Sequence, residues 1–362
     1  MVLKKESFFK SSQNSPMLIA GPCSAESYEQ VLETSRQLAD IPGLFGLRAG
    51  IWKPRTRPGS FEGIGEQALP WLVEAGKQLG LPVAAEVAKT QHVEACLKAG
   101  VSILWIGART TVNPIYVQEL AEAMRGTDVN VLVKNPIHPE INLWIGALER
   151  FEQVGIQSIG AVHRGYFSLA ASPYRNEAGW ELAVELRERV PEVPILCDPS
   201  HIAGKRALVP EVCQIAYDLG MDGLMVESHV NPERALSDAD QQLTPQRLKE
   251  VISNLTIRDQ IQEPWEVSSE MQKLRAEIDI VDHNLIQLVA KRMSIIRKIA
   301  KEKDKHNLAI FQLKRWMEIV ETRKLSADQI QLSTSMIHEL FRVIHKNALE
   351  EQVRILNKRN SD

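Results

Sequence analysis

From residue 17 to about 230, short runs of apolar and β-branched residues alternate with stretches whose apolar positions recur at helical spacing. The runs at 17–20, 44–48, 82–86, 102–107, 130–134, 157–162, 194–198 and 223–227 read as strands of a parallel sheet built from strand-helix units. Eight such units without interruption predict an α/β fold closed into a (β/α)8 TIM barrel rather than an open doubly wound sheet.

After Thr256 the pattern changes. A mostly polar stretch containing Pro264 carries no periodicity, and beyond it no strand-like run occurs. This divides the chain into a barrel domain at 1–257, a linker at 258–268 and an all-α three-helix domain at 269–362. In the last domain Leu274, Ile278, Val281, Leu285, Leu288, Ile295 and Ile299 mark one face of a helix expected over 271–305. A second helix is expected near 311–323. A third is expected over 326–356, opened by Ser326 with Gln329 three residues on, in the manner of a capping box. At 1.5 Å per residue the first helix is near 50 Å long, too long to bury its apolar stripe in so small a monomer. An intertwined homodimer is therefore expected.

Composition narrows the ligands. The chain has 362 residues, enough for a barrel of about 250 plus a small second domain. Its 43 basic and 46 acidic residues leave a net charge of -3, which supplies no long-range field for nucleic acid or membrane and leaves small polar metabolites. No apolar run is long enough to span a bilayer, no export signal is visible, and Cys23, Cys96, Cys197 and Cys213 lack CxxC spacing. A cytoplasmic protein with reduced thiols is expected.

Candidate chemistry collects where the strands end. Arg48, Glu86, Lys134, Asp198 and Glu227 each terminate an expected strand, while Cys23, Arg109, Arg164 and His201 follow one closely. In a barrel these converge on one rim, the face that carries catalysis. A lone buried cysteine is ordinarily a small core residue. Cys23 changes meaning beside His201, Glu227 and Asp238: one thiolate, one imidazole and two carboxylates suit Mn, Fe, Co or Zn better than Ca or Mg. His163 and His229 are read as hydrogen-bonding neighbours. Arg48, Lys53, Arg55, Arg109, Lys134 and Arg164 would repel one another on one rim without an anion, so a pair of phosphorylated or carboxylated substrates is expected.

The segments LRAGIWKPRTRPGSFEG, WIGAR, VLVK, HRG, CDPSH and VESHVNPERALSDADQQL, in this order, resemble the I-beta class of 3-deoxy-D-arabino-heptulosonate 7-phosphate (DAHP) synthases. The resemblance implies that phosphoenolpyruvate is held by Arg48, Lys53, Ala108, Arg109, Lys134 and Arg164. It implies that erythrose 4-phosphate meets Lys53, Pro54, Arg55, Thr56 and Asp198, and that the divalent metal is bound by Cys23, His201, Glu227 and Asp238. Lys53 is the candidate proton donor or shuttle, a role also open to His201 or Glu86. The sister synthase using arabinose 5-phosphate reads like KANRSS after the same strand, where this chain reads KPRTRP; Arg57 stands where many relatives have Ser.

The pattern KLRAEIDIVDHNLIQLVAKRMSIIRKIAKEK resembles the all-helical chorismate mutases. This implies that Arg275, contributed across a dimer, and Arg292 hold the substrate carboxylates. Lys303 and Gln352 then contact the breaking ether oxygen, with Arg315 an additional contact to chorismate or prephenate. Gln312, Trp316 and Ala348 depart from the residues of well-known relatives, so modest mutase activity is expected. The rearrangement needs only a restricted conformer and a cation beside the ether oxygen. With about sixteen residues before the first strand, the helical domain is the candidate regulator of the synthase. A catalytically silent dimerisation or ligand-sensing module is the alternative.

Overall fold

The computed structural model describes residues 8–9, 17–53, 59, 61–169, 172–256 and 269–358. The chain forms two compact units, Met1–Gln260 and Ile261–Asp362.

In the first unit eight parallel strands close a barrel in chain order: β1 Met17–Gly21, β2 Leu44–Ala49, β3 Val83–Val87, β4 Ile103–Ile106, β5 Asn130–Lys134, β6 Ile159–His163, β7 Ile195–Cys197 and β8 Gly223–Glu227. The expected strands are all present, with ends shifted by a residue or two. Around them run α1 Tyr28–Leu38, α2 Leu69–Leu79, α3 Thr90–Ala99, α4 Ala108–Thr111, α5 Pro114–Ala123, α6 Ile141–Gln153, α7 Trp180–Arg189, α8 Pro199–Ala203, α9 Val209–Asp218 and α10 Pro245–Ser253.

Alternation along each strand builds two cores. Leu18, Ala20, Leu104, Ile106, Val131 and Val133 face the helices, whereas Ile19, Trp105, Leu132, Val162, Leu196 and Met225 fill the barrel interior. Phe9 joins this interior cluster, 2% exposed, and Phe8 packs edge-on against both Phe9 and Phe45. The Phe8 N–H donates to Ser158 Oγ just before β6, so this pair closes the end of the barrel where the strands begin.

The opposite end is shaped by register and by helix caps. Closure pairs Gly21 with Glu227, which brings the residues after β1 beside the end of β8. A Cβ on Gly21, at φ 151°, would lie 2.1 Å from the Arg48 carbonyl oxygen, so only glycine allows this approach to β2. Asp198, just past β7, caps α8 by accepting from the His201 N–H at 3.1 Å, which fixes both side chains over the barrel mouth.

The second unit contains α11 Ser269–Lys305, α12 Leu313–Gln329 and α13 Thr334–Lys358. α11 and α12 both pack on α13. The boundary between the last two helices corrects the capping-box expectation at Ser326. Its hydroxyl donates to the Thr322 carbonyl inside α12, a bond that a serine can make without leaving the helix. The chain instead turns at Gln331, φ 58°, and Ser333 Oγ accepts from Met336 N to open α13. The linker expected at 258–268 lies outside the described residues. Along α11, Ile278, Val281 and Leu288 are 59%, 63% and 63% exposed, an apolar stripe this unit does not bury by itself.

Candidate active sites

At the end of β2 the Arg48 guanidinium, 1% exposed, lies 4.8 Å above the Trp105 ring. Its Nη2 is 3.2 Å from Glu227 Oε1 and donates to the Cys23 carbonyl at 3.4 Å. Among the described residues Arg48 Nε and Nη1, both buried, have no hydrogen-bond partner. At the end of β5 Lys134 Nζ lies 2.6 Å from Asp198 Oδ2 and 5.8 Å from the same indole. An arginine and a lysine thus share one aromatic floor in a buried place, each with a carboxylate partner.

The four expected metal ligands come together pairwise. Cys23 Sγ lies 3.3 Å from Asp238 Oδ2, and His201 Nε2 lies 3.9 Å from Glu227 Oε1. Lys53 Nζ donates to Cys23 Sγ at 3.0 Å. The stem of the Lys53 loop is fixed by Trp52, whose indole stacks flat on the His92 ring with centroids 4.0 Å apart. Burial, reinforced by Glu227, pushes the Cys23 thiol up to about 12. Burial opposes the charge on Lys53, but Cys23 and Glu227 outweigh it and hold the ammonium above its usual range.

Asp198, Glu227 and Asp238 are all held low against the cost of burial: the first by His201 and Lys134, the second by His201 and Arg48, the third by His201 and Arg175. His201 is itself pushed down by burial despite Asp198. His201 Nδ1 lies 2.8 Å from Asp198 Oδ2.

Among the described residues no three His, Cys, Asp or Glu side chains stand as a finished metal cage. The donor chemistry nevertheless fits a borderline divalent cation. Glu227 Oε1, buried and accepting no hydrogen bond from the described residues, is an acceptor that such an ion would satisfy.

Lys53, His201, Asp238 and Arg175 border a cavity of about 450 Å³, lined also by Glu86, Ala108, Arg109, Lys134 and Arg164. Ala108 opens α4, Arg109 is exposed at the lip, and Arg164 Nη1 donates to Asn176 Oδ1 at 3.0 Å. Burial, only partly offset by Asp198, brings Arg164 down to about 10. Pro54, Arg55 and Thr56 lie outside the described residues. His163 and His229 act as hydrogen-bonding groups: His163 Nε2 bonds the Ala178 carbonyl, and His229 Nδ1 accepts from Asn231 N.

Sequence reasoning missed three contributors. Arg175 donates to Asp238 Oδ1 at 2.9 Å and to Gln241 Oε1 at 2.8 Å, and its stem lies across Gly204, where a Cβ would be 2.2 Å from that of Arg175. Gln241 Nε2 donates to Glu227 Oε2, and Gln242 Oε1 accepts from Cys23 N. Both glutamines stand in the segment ALSDADQQL, but nothing in their spacing announces a role. A larger groove of about 660 Å³ runs outside the barrel past Thr90, Ile115 and Arg150, without a comparable convergence of charge.

The helical unit has its own cavity, also about 450 Å³, lined by Arg292, Lys303, Arg315, Arg323, His345 and Gln352 over a floor of isoleucines. Arg292 Nη1 and Gln352 Oε1 are buried without a hydrogen-bond partner among the described residues. Arg315 Nη1 is also 3.2 Å from Glu318. Of the five expected chorismate contacts, four meet here. Arg275 is exposed on α11 and does not line the cavity.

Residues 2–263 match the DAHP synthetase I family and residues 274–353 match chorismate mutase type II. A phospho-2-dehydro-3-deoxyheptonate aldolase of Thermotoga maritima is 33% identical over 238 residues, 66% of this chain and 68% of that protein. A 2-dehydro-3-deoxyphosphooctonate aldolase of an Azoarcus species is 28% identical over 265 residues, 67% of this chain and 91% of that protein. A solved Thermotoga maritima DAHP synthase superposes with a TM-score of 0.59 at 31% identity, covering 67% of this chain and 68% of that one.

Proposed function

The chain belongs to the DAHP synthetase I family and carries a chorismate mutase type II domain, making it a bifunctional shikimate-pathway enzyme; we propose how its residues divide the work. The barrel condenses phosphoenolpyruvate with erythrose 4-phosphate to give DAHP and inorganic phosphate. The helical unit rearranges chorismate to prephenate.

Arg48, Lys134, Arg164 and Arg109, with Lys53 and the Ala108 backbone, hold phosphoenolpyruvate by bidentate and charge-assisted hydrogen bonds. Lys53, Asp198 and the Pro54-Arg55-Thr56 turn position the aldehyde and its phosphate. Cys23, His201, Glu227 and Asp238 would hold a divalent ion, which when bound would supply Lewis-acid polarisation of the aldehyde carbonyl. C3 of phosphoenolpyruvate forms the new bond to that carbon. The Lys53 ammonium donates a proton to the resulting alkoxide oxygen. Water adds at C2, and the C–O bond to phosphate breaks to release the ketone.

The observation that carries this reading is the Lys53 ammonium, 3.0 Å from Cys23 Sγ, in one cavity with Arg109, Lys134, Arg164, His201 and Asp238. The KPRTRP segment favours erythrose 4-phosphate over arabinose 5-phosphate. Purified protein given phosphoenolpyruvate with each sugar should release phosphate with the four-carbon sugar; comparable turnover of the pentose would sink the assignment.

In the helical unit Arg292, Lys303, Arg315 and Gln352 converge on chorismate, and Arg275 joins from a second copy through the exposed α11 stripe. A homodimer results. Loss of chorismate absorbance separates a working mutase from a silent ligand-sensing module. Prephenate or chorismate bound here inhibits the synthase, a coupling that is reciprocal in binding. Deleting 258–362 should abolish that inhibition, and inhibition retained in a folded truncated protein counts against it. Among the described residues no helix is long and apolar enough to cross a membrane. A cytoplasmic location follows from the metabolic role.

A further inference from the structure

The helical cavity contains a polar group with no role in this scheme. His345, on α13, stacks on the Trp316 indole of α12 with ring centroids 4.2 Å apart and planes 18° apart, and the Phe311 ring lies 6.1 Å away. Two aromatic neighbours fix the plane of the imidazole. Held in that plane, its Nε2 is buried and has no hydrogen-bond partner among the described residues. Buried polar atoms in folded proteins are rarely left so, and a bound molecule is one way to satisfy them.

The surroundings say what kind of molecule. Arg292 and Lys303 line the cavity from α11, Arg315 and Arg323 from α12, and Gln352 from α13; among the described residues no carboxylate lines it. Four cations supply an abundance of donors for the acidic groups of a ligand. An alcohol on the same ligand must also give its proton to an acceptor. We propose that His345 is a ligand-contacting residue of this cavity, its Nε2 accepting a hydrogen bond from the hydroxyl of a small hydroxylated dianion.

The imidazole has the right protonation state for that role. Burial, and then the charges of Arg292 and Lys303, push it below its usual range, so at neutral pH it carries a lone pair and not a second proton. The Trp316 side chain closes one face of the ring, so the ligand meets the ring edge, while Ile295, Ile296, Ile299 and Ile319 offer apolar walls to the rest of its body. The inference rests on reading the cavity as the chorismate and prephenate site, and adds which group recognises the alcohol.

The full-length protein tests it with three variants. His345→Phe keeps a flat ring against Trp316 and removes the nitrogen; His345→Gln returns a polar atom near the place of Nε2; His345→Asn returns one near Nδ1 instead. Steady-state kinetics with chorismate and with its 4-O-methyl ether, plus prephenate binding by calorimetry, are compared after thermal melts verify folding. His345→Phe should raise the chorismate KM and the prephenate Kd roughly tenfold, the worth of one hydrogen bond. His345→Gln should recover most of the loss, and His345→Asn should behave like the phenylalanine variant. The preference of the wild type for chorismate over its ether should shrink in His345→Phe. An unchanged KM, or the same chorismate-to-ether ratio in wild type and His345→Phe, overturns the role of His345. If the wild-type protein neither binds prephenate nor consumes chorismate, the reading of the cavity itself fails and the inference falls with it.

Discussion

The two cavities have the same volume, about 450 Å³, and both are cationic, yet they hold their charge in opposite ways. On the barrel rim the cations have carboxylates of the same chain beside them: Arg48 lies 3.2 Å from Glu227, Lys134 2.6 Å from Asp198 and Arg175 2.9 Å from Asp238. Among the described residues no carboxylate lines the helical cavity; Arg315 has Glu318 3.2 Å away, but Arg292 Nη1 is buried without a partner. The barrel site is thus organised before any reactant arrives, which suits a reaction that must place two anions and move a proton. The helical site leaves the charge of Arg292 to be balanced by what binds, sufficient for a rearrangement that needs a restrained conformer and one cation.

Metal removal should separate the two most completely. Chelation is expected to abolish DAHP formation and leave chorismate consumption unchanged; simultaneous loss of both would show that the sites are not chemically independent. Next in size, Lys53→Met should lower synthase turnover by about 10²–10⁴, the usual worth of a positioned acid, without changing mutase rates. An unaltered pH-rate profile, after correction for binding, would remove Lys53 from proton transfer.

Stability should divide along the same line. Arg48→Met strands the buried Glu227 carboxylate and should cost the barrel about 3–5 kcal/mol in chemical denaturation. The matching change in the helices, Arg292→Met, should alter stability by less than about 1 kcal/mol while raising the chorismate KM, because no buried carboxylate is left behind. Equal losses of stability would erase the distinction.

A smaller effect comes from acid. Burial holds His163 down to about 4, despite its bond to the Ala178 carbonyl. Unfolded, the ring takes up its proton near pH 6.5. Its contribution to stability is therefore fully present above about pH 6.5 and is lost as the pH falls toward 4, by about 3 kcal/mol in all. His163→Gln should flatten the barrel's acid denaturation profile across that window, and an identical slope would refute the assignment. His345 is also pushed down, but it is less enclosed, and the helical unit should respond more weakly.

The architecture was largely legible because each strand carries its own apolar run and each rim residue stands at the end of one. Cys23, Arg48, Lys134, Asp198, His201 and Glu227 could be placed by counting along strands, since the barrel's register does the rest. Arg175 could not. It lies in the long connection between β6 and α7, and reaches the rim only because Gly204 makes room for its stem. Gln241 and Gln242 had no signal of their own, because an uncharged amide reveals its task only through the partner it bonds. The Ser326 misreading has a similar cause: a serine hydroxyl serves a helix interior or a helix start, and the turn at Gln331 decides which. His345 was invisible for a related reason, since its meaning depends on an indole from another helix.

Phe9 has a consequence for traffic. With that ring wedged under the filled interior, the barrel is a blind alley, and every reactant and product must use the same mouth. Arg48 and Lys134 sit at its bottom, 1% and 5% exposed, whereas the Arg175 side chain, 47% exposed, stands at the opening. A compound that needs the deep pair must therefore arrive first and be boxed in by its follower, and an inhibition pattern showing random arrival would contradict that queue.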